Sequence, residues 1–399
     1  MTEPVVLGFG GCVDYEVTLT SAVLDDLIET YQIRAADIAL APAVLTERDL
    51  VISILAHMRQ GEGGEHFVAS PAALLSFSGR MPSRITLGGT SVRAGIIMAR
   101  LGVPSTLHLV TVNRYFQELL PPTCSSIGGE GIDTLYPHLI VQYDRDLRVQ
   151  ASDIDIETPF PNRLIYVNDP ANEMLPLSPR IGALLVDAEM LLISGFNAIR
   201  DPAVLEQRLV TLRQHLVHLN PRAFVYYEDA AFHVPAFNRR VRDALIDVID
   251  VFGFNEDELQ GHLGRSVDLL SVSDVEAALT AMQARIPVPT LVLHTKYWAL
   301  ALGQRADEYA DALDAAIVMA STRYSHGDEF SDDDHEAMRH QPRREDACRF
   351  AAELEARMPN VRCVAGLRLE VTRPTTVGLG DTFVGGFLAA SQKRTVRCS

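Results

Sequence analysis

The sequence predicts an α/β fold: a doubly wound sheet with helices on both faces, joined to a smaller α/β lid domain. Short apolar runs rich in β-branched and aromatic residues alternate with segments whose apolar residues recur at i, i+3 and i+4. Those runs are continuous, as expected of parallel strands covered on both faces by crossover helices. Two excursions break the rhythm and carry alternating strands of their own.

The first core strand is "PVVLGFGG" (4–11). Residues 15–80 then begin with the alternating "YEVTLTS" and pass through helical patterns to the Gly-rich "QGEGGEHF". The core resumes at 81 with "LGGTSVRAGIIMARLG" (87–102), a diglycine before an apolar helix, and with the strand "STLHLVTV" (105–112). Residues 113–160 hold loops and the alternating strand "HLIVQYD". From 161 onward the runs "MLLISGF" (190–196), "AFVYYED" (223–229), "VIDVFGFN" (248–255), "PTLVLHT" (289–295) and "NVRCVAGL" (360–367) are strands. The helical patterns 201–219, 237–249, 273–285 and 307–321 lie between them. The expected division is a core of 1–14, 81–112 and 161–399, with a discontinuous lid of 15–80 and 113–160. The polar segment 325–346 is expected to be a solvated loop leading into a helix, and its "DDDHE" run (332–336) has no fixed ligand spacing for a metal.

Composition narrows the function classes. The 399 residues are 47% hydrophobic and 22% charged, ordinary for a soluble globular protein. With 52 acidic against 35 basic side chains, the net charge of −17 disfavours nucleic acid and anionic membranes as partners. An anionic ligand therefore needs a local cluster of donors. Five scattered cysteines without a C-x-x-C pair fit a reducing compartment. The N-terminus has no basic region followed by an apolar one, and Asp187 and Glu189 interrupt the longest apolar stretch. A cytoplasmic protein is expected.

Chemistry concentrates in "TTVGLGDTFVGGFLAA" (375–390). Gly378 and Gly380 permit a tight turn and close backbone approach, and the apolar run after Asp381 starts a helix whose free N–H groups favour a phosphate. A carboxylate there can accept a proton from an attacking hydroxyl. The same pattern also describes a glycine turn with Asp381 as an N-cap. "GFNEDELQ" (253–260) sets Asn255 and Glu258 three apart after a strand. That spacing suits ordering waters around magnesium, and it suits a capping box equally. Gly88 and Gly89 precede a helix and expose backbone donors for sugar hydroxyls or phosphates, or they pack a close turn. Asp14 follows the first strand, where ligands of open α/β sheets gather.

In chain order, Asp, diglycine, N-x-x-E and G-x-G-D before a C-terminal helix resemble the ribokinase-like sugar kinases. Within that superfamily the chain is similar to the ADP-dependent glucokinase/phosphofructokinase family. The likeness rests on "PNRLIYVNDPAN" (161–172), "LLISGFNAI" (191–199), "GFNEDEL" (253–259), "LVLHTKYWALAL" (291–302) and "RPTTVGLGDTFVGGF" (373–387), and runs from about residue 5 to 392.

This resemblance implies transfer of the β-phosphoryl of ADP, with Mg2+, to a hydroxyl of a hexose or hexose phosphate. It assigns Asp381 as the base and Gly378 to Gly380 as the anion hole, with Val377 and Gly380 beside the nucleotide. Asn255, Glu258 and Glu228 attend the magnesium. Asp14, Gly88 and Gly89 bind the sugar, Arg163 meets nucleotide phosphates, and His294 lies on the nucleotide side. Glu65 resembles a lid glutamate that favours glucose over a phosphorylated sugar. Two departures bear on the acceptor. Tyr226 replaces the histidine of a His-x-Glu motif that ends here in Glu228, and "TSVRAG" leaves Arg93 near the sugar, free to pair a phosphate or carboxylate, a protein acid, or solvent. An ATP-dependent sugar or nucleoside kinase and a non-catalytic sugar-binding relative are the alternatives.

Overall fold

A computed structural model describes residues 3–38, 44–129, 133–371 and 374–397. Parts of the expected lid (39–43 and 130–132) and Cys398 lie outside the described residues.

The large sheet has nine strands. From one edge they run Val361–Ala365, Trp298–Gly303, Thr290–His294, Val251–Asn255, Phe224–Glu228, Met190–Ile193, Val5–Gly8, Ser105–His108 and Cys124–Ile127. Pairing is parallel from Thr290–His294 to Cys124–Ile127, and the two strands at the other edge are antiparallel. Every continuous apolar run read as a core strand forms one. The strands Trp298–Gly303 and Cys124–Ile127 were not among those expectations.

Helices cover both faces. On one side Leu205, Leu209 and Leu212 of the helix Pro202–Leu216 join Phe252, Phe254, Val275, Leu279 and Phe350 in one buried cluster. On the other, Leu313 and Ala316 of Ala310–His326 and Val384, Phe387 and Leu388 of Leu379–Arg397 pack with Leu7 and Leu107. Each buried Val, Leu or Phe side chain among them contributes on the order of 1.5–3 kcal/mol by leaving water. The fold is therefore the doubly wound sheet the sequence predicts. From Val5–Gly8 the chain first builds outward through Ser105–His108, then returns to build the opposite side from Met190–Ile193. The order reverses at the first strand, and ligands of such sheets bind beyond the carboxyl ends at that reversal.

The second sheet has five strands in the order Gly64–Phe67, Asn162–Val167, His138–Tyr143, Cys12–Thr18 and Ser83–Gly88. Helices Ser21–Thr30, Glu47–Gln60 and Pro71–Ser78 cover one face, where Leu24, Leu27, Ile54 and Phe77 pack on Val17, Leu139, Val141, Leu164 and Tyr166. Side chains of opposite parity, including Asp14, His138, Glu65 and Ile165, point the other way. The sheet boundaries differ from the expected division. Residues 83–88 and 162–167, read as core, are strands of the small sheet, and that sheet begins at Cys12. The segments leading into and out of the lid are themselves lid strands.

In the polar segment 325–346 a loop does lead into a helix, but the loop is only 327–331 and the acidic run belongs to the helix Asp332–Arg339. Ser331 caps it, with Asp334 closing a capping box, so the acidic run lies in a first turn where the helix dipole stabilises carboxylates. Among the described residues no helix is long and apolar enough to cross a membrane.

Candidate active site

The C-terminal helix begins at Leu379, so Asp381 lies within its first turn and is not an N-cap. Gly378 precedes it at φ +66°, and a Cβ there would stand 2.6 Å from Arg93 Cδ. The turn thus needs glycine both for its backbone conformation and for the passage of the arginine. Thr382 fastens the turn by donating its N–H (3.0 Å) and its hydroxyl (2.8 Å) to the Gly378 carbonyl. Val377 is buried, and its carbonyl accepts from Arg323. The first N–H groups of this helix have no partner within it, which leaves a positive end beside Asp381.

Asp381 shares a cavity of about 220 Å³ with Asp14, Gly89, Arg93, Glu65, Val377 and Gly378. Residues 14, 65, 89, 93 and 381, remote in sequence, therefore meet where the two sheets face each other. Gly88 stands just behind. A Cβ on it would lie 2.4 Å from Asp14 Oδ2, so only glycine leaves room for that carboxylate. Arg93 does not point to solvent. Its Nη2 donates to Asp14 Oδ2 at 2.7 Å, and it lies 3.8 Å from Glu16 Oε1 and 3.9 Å from Asp381 Oδ2. Of its three expected roles, pairing with the protein's own acids is the one observed. Burial pushes its guanidinium down, but Asp14 and Asp381 outweigh burial and hold it above its ordinary value.

Glu65 reaches the cavity from the lid strand Gly64–Phe67 and bonds His233 Nε2 at 2.7 Å. Burial raises its carboxyl, but the His233 hydrogen bond and the charges of His138, His233 and His66 outweigh that and leave it below its usual range.

The Asn255 and Glu258 cluster serves as a cap. Asn255 Oδ1 accepts from the Asp257 and Glu258 amides, and Glu258 Oε2 accepts from the Asn255 amide at 2.7 Å. Glu258 is at the same time crowded by acids. Burial, then Glu228 and Asp229, push its carboxyl up to about 8. Glu228 Oε1 pairs with His294 Nε2 at 2.9 Å, while its Oε2 is buried with no partner among the described residues. An orphaned carboxylate oxygen beside a second acid is a donor set that a hard divalent cation fits. His294 stacks on Phe383 with centroids 4.7 Å apart, and a Cβ on Gly380 would lie 3.3 Å from its ring. The histidine thus links the acid pair to the C-terminal turn. Tyr226 is fully buried against Phe387, and burial together with Glu228 pushes its hydroxyl up.

Arg163 is not gathered with Asp381. It sits in Asn162–Val167 on the crevice-facing parity, and its Nε is buried without a hydrogen bond. Burial pushes the guanidinium down against the opposing charge of Asp257. Asp257 lines a second cavity, of about 1080 Å³, with Asn255, Glu258, Asp229, Arg242 and His262.

Residues outside the sequence reading complete the first cavity. His138 lies 3.4 Å from Asp169, and Asn172 donates to Asp169 at 2.6 Å and to the Gly11 carbonyl at 2.9 Å. Asp169 and Asn172 stand within the quoted "PNRLIYVNDPAN", and the D-x-x-N spacing of an Asp N-cap was their local signal.

A family model, the ADP-specific phosphofructokinase/glucokinase conserved region, matches residues 3–389. Among solved structures the fold is similar to a hypothetical ADP-dependent phosphofructokinase from Pyrococcus horikoshii OT3, with TM-score 0.77 and 18% identity over 99% of each chain. It is similar to a phosphofructokinase from the same organism solved with AMP, at TM-score 0.78 and 17% identity over 99% of each chain. A third is an ADP-dependent kinase in complex with fructose-6-phosphate and ADPbetaS, at TM-score 0.74 and 13% identity over 97% of this chain and 93% of that one. No curated protein sequence matches at the significance applied.

Proposed function

Because the chain belongs to the ADP-specific phosphofructokinase/glucokinase family, whose members are phosphotransferases, we propose that it transfers the β-phosphoryl of ADP to a hydroxyl of an uncharged hexose. The observation that carries this reading is the placement of Asp381 at the positive end of the C-terminal helix, inside the cavity that Asp14 and Glu65 line. Asp381 takes the proton of the attacking hydroxyl, and the first-turn N–H groups stabilise charge on the transferring phosphoryl group. Arg163, whose Nε is buried without a hydrogen bond, pairs with the nucleotide phosphates. Glu228 and Glu258, helped by Asn255, would hold Mg2+ and its waters, which when bound would neutralise phosphate charge. His294 holds Glu228 in place.

The cavity lining supports an uncharged acceptor. Asp14, Glu65, Asp169, Glu173 and Asp381 face it, while its cationic side chains are each engaged by one of these acids, Arg93 by Asp14, His138 by Asp169 and His233 by Glu65. A sugar phosphate would enter against those carboxylates. The second reading, a hexose phosphate, draws on the similar kinase solved with fructose-6-phosphate.

A screen crossing ADP, ATP and GDP with glucose, glucosamine, fructose 6-phosphate and ribose tests both. Highest kcat/KM with ADP and an uncharged hexose supports the first, and with fructose 6-phosphate the second. Preference for ATP overturns the donor assignment. Calorimetric sugar binding without nucleotide consumption would identify a non-catalytic relative.

A further inference from the structure

Strand alternation puts Cys12 and Asp14, two residues apart on Cys12–Thr18, on one face of the small sheet. The parallel register of the neighbouring strand sets His138 directly beside Asp14. Cys12 Sγ, a carboxylate oxygen of Asp14 and a ring nitrogen of His138 all lie within 4.8 Å of one another. We propose that Cys12, Asp14 and His138 form a binding site for a thiophilic divalent cation such as zinc, seated in the acceptor cavity, where the bound cation competes with the sugar.

The donor set is what distinguishes this ion from magnesium. A thiolate, an imidazole and a carboxylate with one open position are the ligands zinc takes in sites that keep a water or substrate in the fourth place. Magnesium prefers oxygen throughout and gains little from sulfur. All three side chains line the cavity that also holds Asp381, so the fourth position opens toward the acceptor.

The surroundings orient the ligands. Asp14 divides its oxygens: Oδ2 receives Arg93 at 2.7 Å, while Oδ1 faces Cys12 Sγ at 3.3 Å and His138 Nδ1 at 3.9 Å. The other ring nitrogen, His138 Nε2, is buried without a hydrogen bond and lies 3.4 Å from Asp169 Oδ2. A carboxylate behind an imidazole is the usual outer partner of a metal-bound histidine, and it would turn Nδ1 toward the cation. Asn172 holds Asp169 there at 2.6 Å. Gly88, opposite Cys12 in the next strand, makes the space, since a Cβ would stand 2.6 Å from Cys12 Sγ. The Cys12 thiol donates to Asp14 Oδ1, and despite burial the surrounding acids hold the His138 imidazole protonated, so binding a cation releases two protons to solvent, one from the thiol and one from the imidazolium.

Cation binding does not depend on the proposed reaction, whereas competition with the sugar rests on it, so two measurements separate them. Co2+ is titrated into the chelator-washed full chain. The expected result is a thiolate-to-cobalt charge-transfer band at one ion per chain, displaced by Zn2+ and not by excess Mg2+. Cys12→Ser abolishes the band, Cys348→Ser at the exposed cysteine retains it, and His138→Gln weakens Co2+ binding about tenfold or more. No band in the wild type, or a band that survives Cys12→Ser, overturns the site. In assays at saturating Mg2+, Zn2+ should raise the KM of the acceptor and leave that of ADP unchanged. Zinc that binds stoichiometrically yet leaves the acceptor KM unmoved overturns the competition and the placement of the sugar, and leaves the site standing.

Discussion

Arg93 Nη2 meets Asp14 Oδ2 at 2.7 Å with both side chains less than a tenth exposed. The same guanidinium lies within 4 Å of Glu16 and Asp381, so one buried cation holds three carboxylates at the junction of the two sheets. Removing it leaves those acids facing one another in low dielectric. Arg93→Met should cost about 3–5 kcal/mol of stability, as breaking a buried pair from one side does. Urea denaturation checks it, and a midpoint within error of wild type would mean the acids are solvated.

Asp381→Asn keeps the side-chain volume and the first helical turn but removes the carboxylate proposed to accept the proton. The expected loss is about 10²–10⁴-fold in kcat, the range general-base catalysis supplies, with the ADP KM little changed. Initial rates on a variant of unaltered circular dichroism read this. Turnover within a few-fold of wild type would place the base elsewhere.

Glu258 gives a pH dependence of stability. Burial and the charges of Glu228 and Asp229 raise its carboxyl from an ordinary 4.5 to about 8 in the folded chain. Between those values the folded state binds a proton that the unfolded state does not, so this group's contribution to stability falls as pH rises. Glu258→Gln cannot ionise. Without divalent cation, its Tm advantage over wild type should grow from about pH 4.5 to about pH 8, as thermal denaturation across that window would show. A constant difference would mean that Glu258 titrates normally.

Legibility in the sequence followed locality. The G-x-G-D turn, the core strands and the N-x-x-E cluster are contiguous patterns, and each forms near its expected place. N-x-x-E was legible in both of its meanings, and the structure uses it as a capping box while crowding its glutamate against Glu228. Cys12 and His138 gave no such signal, because strand register joins segments more than a hundred residues apart. The role of Arg93 was open for the same reason, since only the fold brings Asp14 and Asp381 to it. The helix Asp332–Arg339 was hidden by its charge. The Ser331-x-x-Asp334 box marked its start, but a run of carboxylates reads as solvated chain until the helix end that stabilises it is recognised.

Glu65 and His233 join the lid to the core across the cavity mouth at 2.7 Å, and Arg200 of the core lies over the Phe67 ring, 3.9 Å from its centroid. In the proposed reaction a carboxylate in this position would accept hydrogen bonds from the hydroxyls of an uncharged sugar and repel a phosphate. Hydrogen bonds to a charged group are worth about 1.5–3 kcal/mol, so Glu65→Ala should lower kcat/KM for an uncharged hexose by about ten- to a hundredfold. The KM for ADP, which the proposed mechanism keeps apart from Glu65, should move little. The same variant should lower the ratio of kcat/KM on glucose to that on fructose 6-phosphate, because the repulsive element is gone. Paired initial-rate measurements on the two sugars decide the matter. A proportional loss on both would show that Glu65 acts through lid closure alone, with no part in selecting the acceptor.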